Sequence, residues 1–148
     1  MRPLPALVAA VSAIVFAGIP SGTEAKKPRT VTASFLGTAT YATDSGCDKL
    51  KALAAGAPRN LNTVPETLSA SGFDDWEGGC SFSRITEVKK GHLYKARMAC
   101  GESADEWVET DTFALTDNGA TVTVTVSGGD EKTTVFKRCD VAAPAAKR

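Results

Sequence analysis

The sequence predicts a mainly β fold: a single small antiparallel up-and-down β-barrel or curved meander, with one short N-terminal helix and two disulfides. Three observations lead there. Apolar and polar residues alternate in short runs, most cleanly where Val122, Val124 and Val126 interleave with Thr121, Thr123 and Thr125. Compact turn signals separate the runs: Lys89-Lys90-Gly91, Asp117-Asn118-Gly119 and Ser127-Gly128-Gly129-Asp130. The four cysteines, Cys47, Cys80, Cys100 and Cys139, bracket the patterned part of the chain.

The N-terminus reads as a secretory signal peptide over residues 1–25. Arg2 supplies the positive start, Leu4 to Ile19 is an uncharged run of 16 mostly apolar residues, and Thr23 and Ala25 suit a cleavage site before Lys26. The run is short of the roughly 18–20 residues that span a bilayer. Taking residues 1–25 from the 148 leaves 123, enough for one domain with one modest core. Residues 26–140 are expected to form that domain, and 141–148, VAAPAAKR, a disordered tail. Removing Arg2 and Glu24 from 17 basic and 17 acidic residues leaves 16 of each. A neutral chain carries no electrostatic argument for nucleic acid or for an anionic membrane. The expected product is periplasmic or secreted, a monomer without a membrane span once the signal is cleaved.

Four cysteines in an exported chain imply two disulfides. The stretch from Cys80 to Cys100 reads as a hairpin. With Lys89-Lys90-Gly91 as its loop, Val88 faces His92, Thr86 faces Tyr94, Arg84 faces Ala96, Phe82 faces Met98 and Cys80 faces Cys100. This register favours Cys80–Cys100 and leaves Cys47–Cys139; Cys47–Cys80 with Cys100–Cys139 is the alternative. The gaps of 33, 20 and 39 residues lack the close pairs of a zinc site, so no metal is expected.

In chain order, Val31, Ala33, Phe35, Ala39 and Tyr41 alternate with polar residues, predicting a strand kinked at Gly37. Asp44 or Ser45 is the expected cap of a helix through Ala55, with Cys47, Leu50, Leu53 and Ala54 on its apolar stripe and Gly56 as its stop. Residues 57–67 read as loop. Leu68 to Phe73 reads as a short strand broken at Gly72, and Gly78-Gly79 as a bulge or turn before the hairpin. The hairpin's inward face then carries Cys80, Phe82, Val88, Tyr94, Ala96, Met98 and Cys100, and its outward face Ser81, Ser83, Glu87, Lys95 and Arg97. Two residues break the pattern: Ile85 falls outside, and Arg84 falls inside with Thr86. Trp107, Phe113 and Leu115 share one parity, and Glu109 and Asp111 fall on it too. Thr133 to Arg138 is the last strand. An Asp75-Trp76-Glu77 run and a Glu106-Trp107 run, each with a Phe six residues after the Trp, give a faint internal echo.

Catalytic signals are thin. His92 is the single histidine and flanks a turn; no G-x-S-x-G elbow or phosphate loop occurs, and oxidised cysteines offer no thiolate. No cofactor is expected. Charge is segregated instead. Acids gather at Asp74, Asp75, Glu77 and at Glu102, Asp105, Glu106, Glu109, Asp111; bases gather at Arg84, Lys89, Lys90, Lys95 and Arg97. Separated patches steer charged partners, so Arg84, Lys95, Arg97, Trp76 and Trp107 are the candidate binding residues, although both tryptophans are better placed in the core at a barrel rim. The expected function is a non-enzymatic binding or inhibitor-like module facing an envelope or extracellular protein. The alternatives are a small-ligand carrier using the barrel interior, and a hydrolase using Asp74, Asp75 or Glu77.

The segments C-D-K-L-K-A-L-A-A-G (47–56), V-P-E-T-L-S-A-S-G-F-D-D-W-E-G-G-C-S-F (64–82), Cys100 and K-R-C (137–139) resemble a group of short exported proteins of Gram-negative bacteria. The likeness covers most of the chain after the signal segment. It implies a small disulfide-stapled β fold and an exported compartment, and carries over no active site. In architecture alone the chain also resembles small periplasmic barrels that inhibit proteases or lysozyme. A lipocalin signature is missing, because G-F-D-D-W has too many residues between Gly72 and Trp76 and lies mid-chain.

Overall fold

The structure is a computed structural model that describes residues 29–31, 35–127 and 132–140. The signal segment, the 141–148 tail and most of the Ser127–Asp130 turn lie outside the described residues. Nine strands and one α-helix are described, with a single 3-10 turn at Asp117–Gly119: β1 (Arg29–Val31), β2 (Tyr41–Ala42), α1 (Asp44–Ala54), β3 (Thr67–Ser69), β4 (Gly72–Asp74), β5 (Gly78–Lys89), β6 (Leu93–Glu102), β7 (Asp105–Thr116), β8 (Thr121–Thr125) and β9 (Thr133–Arg138). All pairings are antiparallel. The order β5-β4-β3-β2-β9-β8-β7-β6 returns to β5, so eight strands close an up-and-down barrel. Closure removes the sheet edges that would otherwise template association. β1 extends the β4 side of β5, pairing Val31 with Ile85.

Both favoured disulfides are present: Cys47–Cys139 across 92 residues and Cys80–Cys100 across 20. On the chain-entropy account they contribute about 4–5 and about 3 kcal/mol. They mark an oxidising, exported environment. Among the described residues no helix is long and apolar enough to cross a membrane.

Alternate strands run from one end of the barrel to the other, and the two ends differ. At the end holding the β5–β6 and β7–β8 connections, the 35–38 turn, with Gly37 at φ 63°, pushes Phe35 into the barrel. Its ring stacks on Tyr94 at 4.4 Å and meets Phe113 edge-on at 5.4 Å; Phe82 meets Phe113 at 5.5 Å. Phe113, Met98, Leu68 and Val122 are fully buried around them. This turn replaces the single kinked strand expected over 31–41: β1 and β2 are separate and pair with different neighbours. Tyr41 buries its ring and donates its hydroxyl to the Gly119 carbonyl at 2.7 Å, closing this end further.

The helix straps the outside. Its cap is Thr43, whose Oγ1 accepts the Gly46 N–H at 3.2 Å, one residue before the expected Asp44 or Ser45. Gly56, at φ 99°, ends it: Gly56 N–H donates to the Leu53 carbonyl and Ala57 N–H to that of Ala52, the paired bonds of a Schellman stop. The Cys47–Cys139 bridge and an exposed Asp44–Lys137 ion pair (2.8 Å) fasten α1 to β9.

The central hairpin departs from the expected register after its outer third. Cys80 opposes Cys100 and Phe82 opposes Met98, as the alternation predicts, but a bulge follows between Phe82 and Arg84. Beyond it Arg84 opposes Arg97, Ile85 opposes Ala96, Thr86 opposes Lys95 and Glu87 opposes Tyr94. The extra residue exchanges the two faces. Ile85 turns inward and is buried, while Arg84 turns to solvent. Both misfits of strict alternation thereby disappear. Val88 is exposed rather than inward, and Glu87 is half-buried rather than outward, within 3.3 Å of the Tyr94 hydroxyl. The loop is Lys90-Gly91-His92, one residue later than expected. Gly78 and Gly79 form regular β5 pairs instead of a bulge. A Cβ at Gly78 would collide with the Gly101 carbonyl, so glycine lets the strands approach closely there.

Candidate functional site

The other end of the barrel is open. The β4–β5 and β6–β7 turns, the start of β3 and the start of β9 surround a recess of about 230 Å³. Phe73 and Phe136, 5.6 Å apart, form its apolar floor together with Val124. Five carboxylates line it, Glu66, Asp75, Glu102, Glu109 and Asp111, against one amine, Lys132.

β7 supplies the central acids. Pleating sends alternate side chains to one face, so the parity that buries Phe113 also directs Glu109 and Asp111 inward and brings Trp107 to the rim. Asp111 is 2% exposed. Its Oδ1 accepts the Ser127 N–H at 3.2 Å. Its other oxygen takes no hydrogen bond among the described residues, and the side chain lines the recess. Burial pushes the Asp111 carboxyl above the ordinary range; the Ser127 N–H opposes this, and the Glu109 charge adds to it. Glu66 is raised for the same leading reason, with Asp75 adding and Lys132 opposing.

Glu109 bridges rim and wall. Its Oε2 accepts the Trp107 indole N–H at 3.1 Å, and its Oε1 lies 3.6 and 3.5 Å from the sulfurs of Cys80 and Cys100. A disulfide has no proton to donate, so the latter are contacts. Asp75 is committed to structure: Oδ1 accepts the N–H groups of Glu77 and Gly78, both at 2.8 Å, and holds the β4–β5 turn.

These acids do not converge on a point. Among the described residues the one set of three potential metal ligands with atoms within 4.8 Å of one another is Cys80, Cys100 and Glu109. Two of those atoms are joined in the disulfide. The recess therefore offers negative charge spread around a cup, which suits an ammonium or guanidinium group with several donors.

The structure separates the candidate binding residues into two groups. Trp107 is at the mouth and Trp76 beside it on the β4–β5 turn, 41% and 49% exposed, not in the core. Arg84, Lys95 and Arg97 are exposed on the outer wall, with Arg84 directly opposite Arg97 across β5 and β6. Asp74 ends β4, exposed, opposite Gly79. His92 sits on the β5–β6 loop at the opposite end from the recess. Glu66 and Lys132 lie outside the charge clusters read from the sequence, and Glu109 and Asp111 lie within the acidic cluster without being among the candidate binding residues. For Glu109 and Asp111 the signal was their shared parity with Phe113 and Leu115.

No family model, no curated protein and no solved structure matches this chain.

Proposed function

We propose that the chain is an exported, non-enzymatic binding module of the periplasm or the exterior, and that its working part is the acidic mouth, which takes a positively charged group of a partner. Asp111 carries the reading: a buried carboxylate with one backbone hydrogen bond, set in the wall of an open, acid-lined recess. An under-solvated carboxylate of this kind gains most from a cation that brings its own donors. The low-dielectric walls focus the field of the other acids on the same space. The apolar floor of Phe73 and Phe136 suits the methylene stem of a lysine or arginine. Inhibitor-like action would follow from inserting such a side chain. Export is supported by the apolar Leu4–Ile19 run and by the two disulfides.

The carrier reading has less support. Aromatic rings fill the barrel around Phe113, and the remaining recess is smaller than the roughly 300–1,000 Å³ typical of small-molecule sites. The hydrolase reading has less still, because Asp75 is engaged by two backbone N–H groups and His92 lies at the far end.

Titration with capped lysine amide and capped arginine amide, followed by the Trp107 indole N–H resonance, tests the proposal. Saturable shifts with millimolar dissociation constants are expected, weakened by salt and lost in Asp111→Asn. Identical shifts with capped glutamate amide, or none with either cation, would defeat it.

A further inference from the structure

A second recess of about 200 Å³ lies against the mouth, between Leu61, Val64 and Trp76, and Glu66 and Asp75 line both. We infer that the ligand is a peptide segment or protein loop in which a lysine or arginine neighbours a large apolar residue: the basic side chain enters the mouth and the apolar one lies between Leu61 and Trp76. The inference rests on the proposed function of the mouth and adds the class of partner.

The groove is built, not incidental. Leu61 is 56% exposed and Trp76 49% exposed, two of the largest apolar side chains left in water. Neither is held there by the core. Leu61 rides a loop ordered by its own polar groups: Thr63 Oγ1 donates to the Pro58 carbonyl at 2.6 Å and accepts the Asn60 N–H at 2.9 Å, while Asn60 Oδ1 accepts the Asn62 N–H at 2.9 Å. Trp76 sits at the tip of the turn that Asp75 fixes. The two turns thus present an aliphatic and an aromatic side chain side by side, an arrangement typical of an interface anchor point. Glu66, Asp75 and Glu77 flank the groove, so its charge complements the same basic partner that the mouth requires. A small amine would fill the mouth alone and leave Leu61 and Trp76 wet. A chain with neighbouring basic and apolar side chains satisfies both recesses at once.

The test compares capped tetrapeptides containing Lys-Leu, Leu-Lys or Lys-Gly, with spermidine as a small cation, by calorimetry on the oxidised protein. One of the two leucine peptides is expected to bind about tenfold tighter than the Lys-Gly peptide, as burial of one apolar side chain implies. Trp76→Ala is expected to remove that advantage while the Lys-Gly peptide still binds. Asp111→Asn is expected to weaken all three peptides. Equal affinity for all three, an advantage that survives Trp76→Ala, or spermidine binding as tightly as the better leucine peptide would overturn the inference and leave the mouth standing. Lysine binding unchanged in Asp111→Asn would overturn the mouth reading itself. Trp76 is exposed, and unchanged circular dichroism of the variant confirms that the fold is intact.

Discussion

Along β7 the inward positions at one end of the barrel hold Phe113 and Leu115; at the other end they hold Glu109 and Asp111. The strand, its neighbours and its pleat are the same. At the Phe113 end rings lie 4.4–5.8 Å apart, and Phe113, Met98, Leu68 and Val122 are fully buried around them. At the Asp111 end the same wall leaves about 230 Å³ open and fills its lining with like charge. Burial that stabilises at the first end works against folding at the second, because an ionised carboxylate loses solvation there and gains one backbone N–H. A barrel of this size needs one packed half to hold its shape. The other half tolerates unfavourable residues because the packed half and the disulfides supply the stability.

The largest test of that division is at the packed end. Phe113→Ala is expected to cost about 3–5 kcal/mol, because the ring is fully buried among Phe35, Phe73 and Phe82. Urea unfolding of the oxidised protein measures it. A loss below about 1 kcal/mol would show that this end is not the stabilising half.

At the mouth the sign reverses. Folding raises the Asp111 carboxyl, through burial first and the Glu109 charge next, so the native state favours the protonated form. That contribution is fully present below the ordinary aspartate range and is lost as pH rises through the raised value. Asp111→Asn stays neutral and keeps an oxygen for Ser127. It is expected to gain about 1 kcal/mol at neutral pH and to converge with the parent in acid. Unfolding curves at the two pH values check this; a variant less stable than the parent at neutral pH would contradict it.

Glu109 sharpens the comparison between the two disulfides. Cys47–Cys139 lies on the outer wall, while Cys80–Cys100 has a carboxylate oxygen within 3.6 Å of both sulfurs. Reduction proceeds by thiolate attack, and a negative charge about 4 Å away opposes the thiolate by roughly 1 kcal/mol in water-like surroundings. Glu109→Gln is therefore expected to speed reduction of Cys80–Cys100 by glutathione about fivefold and to leave Cys47–Cys139 unchanged. Alkylation and peptide mapping over time would show it. Equal acceleration at both bridges would point to general loosening instead.

The packed end was readable because it obeys local rules: alternation places Phe113 and Val122, and turn residues place the connections. The same pattern favoured the observed disulfide pairing over its alternative and left a closed barrel and a curved meander both open. The mouth was only half readable. Glu109 and Asp111 share the inward parity of Phe113, but acidic clusters ordinarily lie in solvent, so parity alone does not single them out. Glu66 and Lys132 had no local signal at all, because they reach the recess only once β3 and β9 take their places in the closed sheet. The tryptophans misled for a related reason: large apolar residues are usually buried, and at Trp76 the Asp75 turn overrides that tendency.

The smallest expected effect tests the point at which strict alternation fails. Counting by twos from Cys80 places Arg84 inside and Ile85 outside; the bulge after Phe82 reverses them. Bulges arise from one unpaired residue, and Ser83, whose hydroxyl donates to the Arg97 carbonyl at 2.9 Å, is compatible with either arrangement in sequence. Arg84 now opposes Arg97 in solvent, and like charges directly across a sheet are mildly unfavourable. Arg84→Ala is therefore expected to change stability by no more than about 0.5 kcal/mol, with any change toward greater stability. Ile85→Ala, at the neighbouring buried position, is expected to lose about 2–4 kcal/mol. Urea unfolding of the two variants side by side measures which residue the interior holds. The opposite ranking would restore the unbulged register, and with it a buried arginine in the wall next to Ala96.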